Sequence, residues 1–573
     1  MKTFLVSIEK NLNTLSTLKY SKEIQHFEDE NLLILFTGDN TLLGDELALK
    51  YQNQGMAFLK DLDHSFSLFI HDKLNNQLFI AKDKTGIEPL YFCDDKHHII
   101  VGTHLKAFKE LEAFTPIINP SSIGEYMQFG SILQPNTIFK DCYKVCAGEY
   151  VCFDLNKHSY TTSKYWELEA YYDDEKMQKS ETDILKESHT LLQQSVEEAS
   201  KNTNFGLSLS GGYDSSTLVA IAQAQSDKKL DTFTIGFHCD EIDEAPHAKA
   251  IAKHLGTNHH EHYFTAQDAL KLIPKMCEVY DEPFADYASS PTMITAQLLK
   301  EHHLSSIISG DGGDEVFATA EDVHLFEKID NTPMLLKQLL AQPLALLPID
   351  KIPYLKNHNN LAKKIEKLQQ ILRAKNISKM VEARNTLFLE KELETQIKAY
   401  TKPLQNGFDM LNFRGSAQAV DEIIGSYFKT TMADGELIKS YSAMNHLDIK
   451  LHTPFLNPTL IKYMAQVPSS IKIKDGIKKY LLKEIAYQYI PKELIERPKA
   501  GFAIPFDAWM KNELKEVLYE QINKKRLDKD NIFYTSSIIN IRDQFYAGNN
   551  AYKYKLWRIF IFQLWYENFQ KNN

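Results

Sequence analysis

The sequence predicts an α/β protein in two parts, a β-rich N-terminal part followed by a parallel sheet covered by helices. Three observations carry this. Residues 205–222 run from an apolar strand (Phe205, Leu207, Leu209) through Ser210-Gly211-Gly212 into a helix reading from Thr217 to Ala222. Downstream, strand patterns at 230–237 and 304–309 alternate with helical patterns at 245–255 and from Ser290 to about His302. Upstream, residues 1–165 carry short apolar runs separated by turn signals.

In chain order, Asn31 to Phe36 is an apolar run ending in the turn signal Thr37-Gly38-Asp39. Residues 65–71 and 77–82 read as a strand pair joined by Asp72-Lys73-Leu74-Asn75-Asn76. Residues 165–180 are polar, acidic and aromatic and read as a linker or bridging strand. Helical periodicity from Asp183 to Ser200 puts Ile184, Leu185, Leu191, Leu192 and Val196 on one face. Residues 322–425 are helical and polar, with Lys-rich faces between Lys363 and Lys375, and read as a helical cover. In the last helix, Leu556-Trp557 to Leu564-Trp565 has aromatic residues at core spacing.

At 573 residues the chain should hold two or more domains. Apolar content of 43% and charged content of 25% are those of a globular protein. A net charge of −11 argues against nucleic acid as a partner. No apolar stretch reaches membrane-span length, and Thr3 to Ile8 is too short for a secretory core, so a cytoplasmic place without a membrane partner is expected. Six cysteines over this length make no disulfide framework. Cys142, Cys146 and Cys152 lie close together, but no histidine stands at ligand spacing; they read as strand or loop thiols.

The corner at 208–216 is where chemistry is expected. A strand turning through two glycines into a helix aims backbone N–H groups at the helix N-terminus, where the helix dipole also favours a polyphosphate. Gly211 and Gly212 permit close approach, Ser210, Ser215 and Ser216 add hydroxyls, and Asp214 can hold magnesium on the phosphates. No Gly-Lys-Ser/Thr follows, so this is not a Walker loop. At the end of the next strand, Ile235-Gly236-Phe237 is placed for an adenine ring to rest on backbone; equally, Gly236 serves tight packing. His259, His260 and His262 read as a solvated loop rather than a zinc site. Ser309-Gly310-Asp311-Gly312-Gly313-Asp314-Glu315 gathers three acids in five residues, which is unfavourable without a cation; magnesium carried by ATP is the natural one.

Ser210-Gly211-Gly212-Tyr213-Asp214-Ser215 resembles the pyrophosphate loop of ATP pyrophosphatases, which split ATP into AMP and pyrophosphate. Ala81-Lys82-Asp83-Lys84-Thr85-Gly86 to Phe92 resembles a segment of the glutamine amidotransferase domain of asparagine synthetases, and Phe36-Thr37-Gly38-Asp39 stands where that domain has Phe-Asn-Gly-Glu. With 232–237, 281–286 and 309–317 in this order, the chain resembles the asparagine synthetase family from about residue 180 onward, and more weakly over 30–165.

The resemblance implies an Ntn-hydrolase-like αββα sandwich over 1–165 and a doubly wound parallel-sheet ATP-pyrophosphatase domain, adenine nucleotide α-hydrolase-like, over 180–570. It implies ATP and Mg2+ as cofactors, a small-molecule or peptide carboxylate as substrate, and adenylation before nitrogen attacks. The implied ATP-binding set is Ser208, Ser210, Gly211, Gly212, Asp214, Ser215, Ser216, Ile235, Gly236, Phe237, Ser309 and Gly310. Asp214 and Asp314 are the implied metal ligands. Lys479 and Lys499 offset phosphate charge, and Asp311, with Glu315 as second choice, orients the amine or accepts its proton. A homodimer is also compatible.

Departures shape the expected function. The family's nucleophile is a cysteine directly after the initiator methionine, whose freed amine is the base; here Lys2 follows Met1. Thr37 and Asp39 replace an amide and a longer acid, so no glutaminase chemistry is expected. Ala318-Thr319-Ala320 replaces the usual Gly-Tyr. Lys450 and His452 stand where the family shows Glu and Arg, which argues against plain aspartate as acceptor. Nitrogen is then expected as ammonia, free or from a separate protein. The alternative is a substrate amine, as in β-lactam synthetases and lasso-peptide cyclases, which resemble this family; a non-catalytic scaffold is the third reading.

Overall fold

The computed structural model describes residues 3–10, 14–38, 43–201, 203–238, 243–346, 359–414, 417–496 and 505–571. Two sheets are antiparallel. The first orders β2 (Thr14–Tyr20), β1 (Phe4–Glu9), β8 (His98–Gly102), β7 (Tyr91–Asp94) and β9 (Cys142–Lys144). The second orders β11 (Ser159–Lys164), β10 (Glu149–Asp154), β6 (Gln77–Lys82), β5 (Phe66–Asp72), β4 (Leu32–Gly38) and β3 (Gln25–Glu28). β5 and β6 pair across the polar turn as the sequence predicts, with Ser67 opposite Lys82.

Val6, Phe69, Ile80, Phe92, Val101 and Phe153 share the core between these sheets. Successive strand residues point to opposite faces, and here both faces are covered. Ile34, Leu68 and Ile70 cluster with Leu47 of the helix Gly44–Gln54. Leu5, Cys93 and Ile100 cluster with Tyr126 and Met127 of the helix Pro120–Phe129. This is the expected αββα sandwich, and it explains why β4 and β5 read as unbroken apolar runs rather than alternating ones.

The third sheet is parallel, in the order β14 (Asn258–Phe264), β13 (Asp231–Phe237), β12 (Phe205–Ser208), β15 (Ser306–Ile308) and β16 (Lys450–His452). The chain builds outward from β12 in one direction, then returns to place β15 on its other side. In such a doubly wound sheet the ligand crevice opens off the strands' carboxyl ends at that reversal.

Three sequence expectations are corrected. The helix after the glycine corner begins at Tyr213, not Thr217, because Gly212 is still extended and the chain turns helical directly after it. His259, His260 and His262 do not lie in a loop; they are on β14, the sheet's edge strand, where one side meets solvent and polar side chains are tolerated. His260 Nε2 lies 2.8 Å from Asp231 Oδ1 on the neighbouring strand. Residues 165–180 are not a plain linker: Tyr165, Trp166, Leu168 and Tyr172 are buried, and 168–173 form a short helix.

The 322–425 stretch is helical as expected, with helices at Val323–Asp330, Met334–Leu346, Asn359–Arg373, Ile377–Asn385, Glu390–Gln396 and Ala419–Tyr427. Asp421 of the last is fully buried and takes two lysines, Lys472 at 2.8 Å and Lys176 at 2.9 Å. That helix runs on as a π-helical stretch, Phe428–Glu436, into the helix Leu437–Asn445. The terminal helix Lys553–Lys571 buries Trp557, Phe560 and Trp565 among residues of the N-terminal sandwich, so its aromatic spacing is core packing as expected.

His452 ends β16 and is buried. Burial, with help from Lys450, pushes its pKa down to about 4. The folded value lies below the unfolded one, so neutral His452 contributes its full stability above about pH 6.5 and loses it as pH falls toward 4. The contribution is about 3 kcal/mol. We expect His452→Gln to flatten the acid limb of urea stability against pH over that window; an unchanged limb contradicts the assignment.

Candidate active site

The corner after β12 is tied by its own serines. Gly211 has φ +76°, a region that side chains rarely adopt, so a glycine is needed there. Ser210 N–H donates to Ser215 Oγ at 3.0 Å, and Gly212 N–H donates to Ser210 Oγ at 3.3 Å. Asp214, Ser215 and Ser216 occupy the first turn of the helix Tyr213–Ala224, with Ser216 fully buried beneath it.

A second corner faces the first from β15. Ser309 Oγ donates to Asp311 Oδ2 at 3.0 Å, Gly312 has φ +87°, and the short helix Gly313–Val316 follows. The two corners touch. A Cβ on Gly313 would come within 2.5 Å of Asp214 Oδ1, and one on Gly310 within 3.2 Å of Asp214 Cβ. The neighbouring loop leaves little room for a side chain at either glycine, least at Gly313.

Lys479 joins the corners. It adopts φ +55° just before the helix Tyr480–Ala486, and its Nζ donates to Asp214 Oδ1 and Oδ2 at 2.5 and 2.6 Å. The same ammonium lies 2.7 Å from Asp314 Oδ1. Burial opposes its charge, yet Asp214 and Asp314 together raise its pKa above the ordinary lysine value. The expected metal ligands and the expected phosphate lysine thus meet at one point. Two carboxylates converging from two strand ends are a donor set that suits magnesium shared with phosphate oxygens.

Beside the corners lies a cavity of about 180 Å³, lined by Ser208, Ser210, Ile235, Ser309, Asp311 and Lys439 among others. Of the expected adenine-contacting stretch, only Ile235 lines it. Gly236 serves packing: a Cβ there would come within 2.8 Å of Ala245 Cβ. The Phe237 ring turns to Phe264, with centroids 6.2 Å apart. Lys499 lies outside the described residues, as do Lys2 and Asp39.

Sequence reasoning missed Glu244 and Lys439 on the cavity wall. Lys439 Nζ lies 3.2 Å from Asp286 Oδ2, inside the 281–286 segment that the sequence did single out. Burial opposes the Lys439 charge, but Asp286, Glu436 and Asp311 raise its pKa overall. The same burial, with Asp311, Asp314 and Asp286 nearby, pushes Glu436 up to about 7 despite Lys439. Glu315 is buried; burial, Glu436 and Asp314 raise its pKa well above the usual carboxylate range. No short motif marks Glu436 or Lys439; only a helix with two ionisable residues three apart hints at them.

In the N-terminal sandwich, Asp83 is 1% exposed and fully engaged. Its Oδ1 accepts from the N–H groups of Thr85, Gly86 and Ile87 and from the Thr85 hydroxyl, and its Oδ2 from the N–H of Glu88. Cys142 and Cys146 are buried free thiols, and Cys152 lies on β10.

Fold and family matches together define the class, an ATP-dependent ligase built from an amidotransferase-like sandwich and a parallel α/β sheet. Residues 187–567 match the family model described as asparagine synthase, and residues 45–166 match one described as a glutamine amidotransferase domain. The chain belongs to the asparagine synthase family. It is 24% identical over 578 residues to glutamine-hydrolyzing asparagine synthetase 1 of Bacillus subtilis, covering 94% of this chain and 86% of that one. A Methanocaldococcus jannaschii protein provisionally named asparagine synthetase 2 is 34% identical over 290 residues, 49% of this chain and 54% of the relative. Asparagine synthetase B of Escherichia coli is 27% identical over 323 residues, 52% of this chain and 50% of the relative. The chain therefore spans about half the length of the first and last of these archaeal and enterobacterial matches, and most of the Bacillus one. Among the described residues, no helix is long and apolar enough to cross a membrane.

Proposed function

We propose that the chain adenylates a carboxylate and passes the acyl group to ammonia or an amine, without hydrolysing glutamine itself. The observation that carries this is the meeting of Asp214, Asp314 and Lys479 between two glycine corners at the reversal point of a parallel sheet. A substrate carboxylate oxygen attacks the α-phosphorus of ATP, the α–β phosphoanhydride bond breaks, and pyrophosphate departs. Ser210, Gly211, Gly212 and Ser215 would hold the departing pyrophosphate, and Lys479 offsets its charge. Magnesium, held by Asp214 and Asp314, would supply further neutralisation. The nitrogen lone pair then forms the C–N bond, the acyl C–O bond breaks, and AMP leaves with its electron pair. Asp311, on the cavity wall beside Ser309, takes the proton lost from nitrogen.

Thr37, the last residue but one of β4, stands where the family has an amide and supports the glutaminase-free reading. Domain limits at 1–165 and 180–570 fit this division of labour.

The test is acid-dependent exchange of labelled pyrophosphate into ATP, screened over a panel of amino and dicarboxylic acids. We expect exchange with at least one acid, loss of it in Asp214→Ala, and no glutamate formed from glutamine. No exchange with any acid, while ATP still binds, would leave a scaffold. Glutamate formation by the purified chain would refute the second half.

A further inference from the structure

Beyond the Lys439–Asp286 ion pair lies a second cavity of about 450 Å³. Lys439 lines the nucleotide-side cavity and Asp286 lines this one, so their 3.2 Å contact is the partition between them. The volume is in the range of small-molecule sites. Its wall draws on parts of the chain far apart in sequence: Phe129 from the sandwich, Phe284 and Tyr287, Phe408 from the helical cover, and Trp557 of the terminal helix.

The chemistry of this wall is specific. It is rich in aromatic rings and carries the carboxylates of Glu436 and of Asp286, which Lys439 meets at 3.2 Å from the other side. Arg558 also lines it, but its guanidinium donates to the Met127 carbonyl at 2.6 Å. Thr430, Thr431, Gly435 and Glu436 all face it from the π-helical stretch Phe428–Glu436. In an α-helix a five-residue step turns a side chain by about 140°. Hydrogen bonding from i to i+5 stacks such residues, so the π geometry is what brings Thr430 and Gly435, and Thr431 and Glu436, to one wall. A wall that joins aromatic surface to acids suits a cation on an apolar frame.

We propose that this cavity receives the nitrogen donor: a small-molecule primary amine on an aromatic or branched apolar frame, its ammonium facing Glu436 and Asp286. The inference rests on the proposed ligase reaction and names the nitrogen source for it. The ammonium gives one proton to the Glu436 carboxylate, and with the Lys439–Asp286 pair parted the freed lone pair attacks the acyl adenylate in the nucleotide-side cavity. Asp311 takes the second proton as the C–N bond forms, and AMP carries away the electrons of the broken C–O bond.

The test uses tyramine as probe, titrated calorimetrically into the full chain. We expect saturable binding, and at least tenfold weaker binding of 3-(4-hydroxyphenyl)propionate, which keeps the ring and chain but ends in a carboxylate. A Cβ on Gly435 meets nothing within 4 Å, so Gly435→Phe can place a ring in the cavity without a backbone clash. It should weaken tyramine at least tenfold while a thermal melt shows the chain still folded. Glu436→Gln should weaken tyramine about tenfold. No saturable tyramine binding, equal affinity for the acid, or an unaffected Gly435→Phe each overturns the assignment. Pyrophosphate exchange on the same preparation separates the two readings. Exchange without tyramine binding removes the cavity's role and leaves the ligase; tyramine binding without exchange refutes the ligase and, with it, delivery to an adenylate.

Discussion

Lys479→Ala should lower acid-dependent pyrophosphate exchange by on the order of 10²- to 10³-fold, the effect of removing a fixed charge aimed at a reacting group. Its Nζ meets both oxygens of Asp214 at 2.5 and 2.6 Å and Asp314 at 2.7 Å, so one substitution strips the common cation from both corners. Those carboxylates are then left facing each other at the point where a polyphosphate must approach. Lys479→Arg should recover only part of the loss, because a planar fork does not replace a compact point charge. The pKa shift sharpens the test. Asp214 and Asp314 raise the folded value, so the contribution to stability is full below the unfolded pKa near 10.4 and is lost only as pH rises beyond it. Lys479 therefore stays charged from pH 6 to 9, and the variant should lose activity by the same factor across that range. A defect that disappears at either end would mean that the lysine acts through another group.

Asp421→Ala should destabilise the chain by about 3–5 kcal/mol, read as a lowered urea midpoint at unchanged slope. Asp421 is fully buried and is within 2.8 Å of Lys472 and 2.9 Å of Lys176. Lys472 is itself 2% exposed, and burial lowers its pKa even against the pull of Asp421. Truncation leaves an ammonium in an apolar setting with its principal counter-charge gone. Replacing both members, Asp421→Leu with Lys472→Met, should recover part of the loss, since the buried ammonium goes with its partner while Lys176 keeps the Tyr172 and Ala465 carbonyls. If the single and double variants unfold alike, the pair is not what holds the helical cover to residues 176 and 472.

The outline of the fold was legible along the chain because its signals are local. Periodicity marked the strand pair at 66–82 and the helix at 245–255, and two glycine corners stood out by their spacing. Errors arose where a local pattern has two structural meanings. The histidine run is polar enough for a loop, yet it is an edge strand, because the sheet covers only one of its sides. Residues 165–180 look like a linker because their tyrosines and acids do not alternate, while Trp166 and Tyr172 fill a core shared between distant segments.

The sequence by itself determined the family and the two corners, since glycine, serine and aspartate at fixed spacing need only a turn and a helix start to declare their chemistry. Tertiary structure alone decided that Asp214 and Asp314 share Lys479, which lies 265 positions from Asp214 along the chain. It also decided that Lys439 and Asp286 divide two cavities. Such contacts depend on strand order and on a helix's i to i+5 register, and neither leaves a trace in the spacing of residues along one chain.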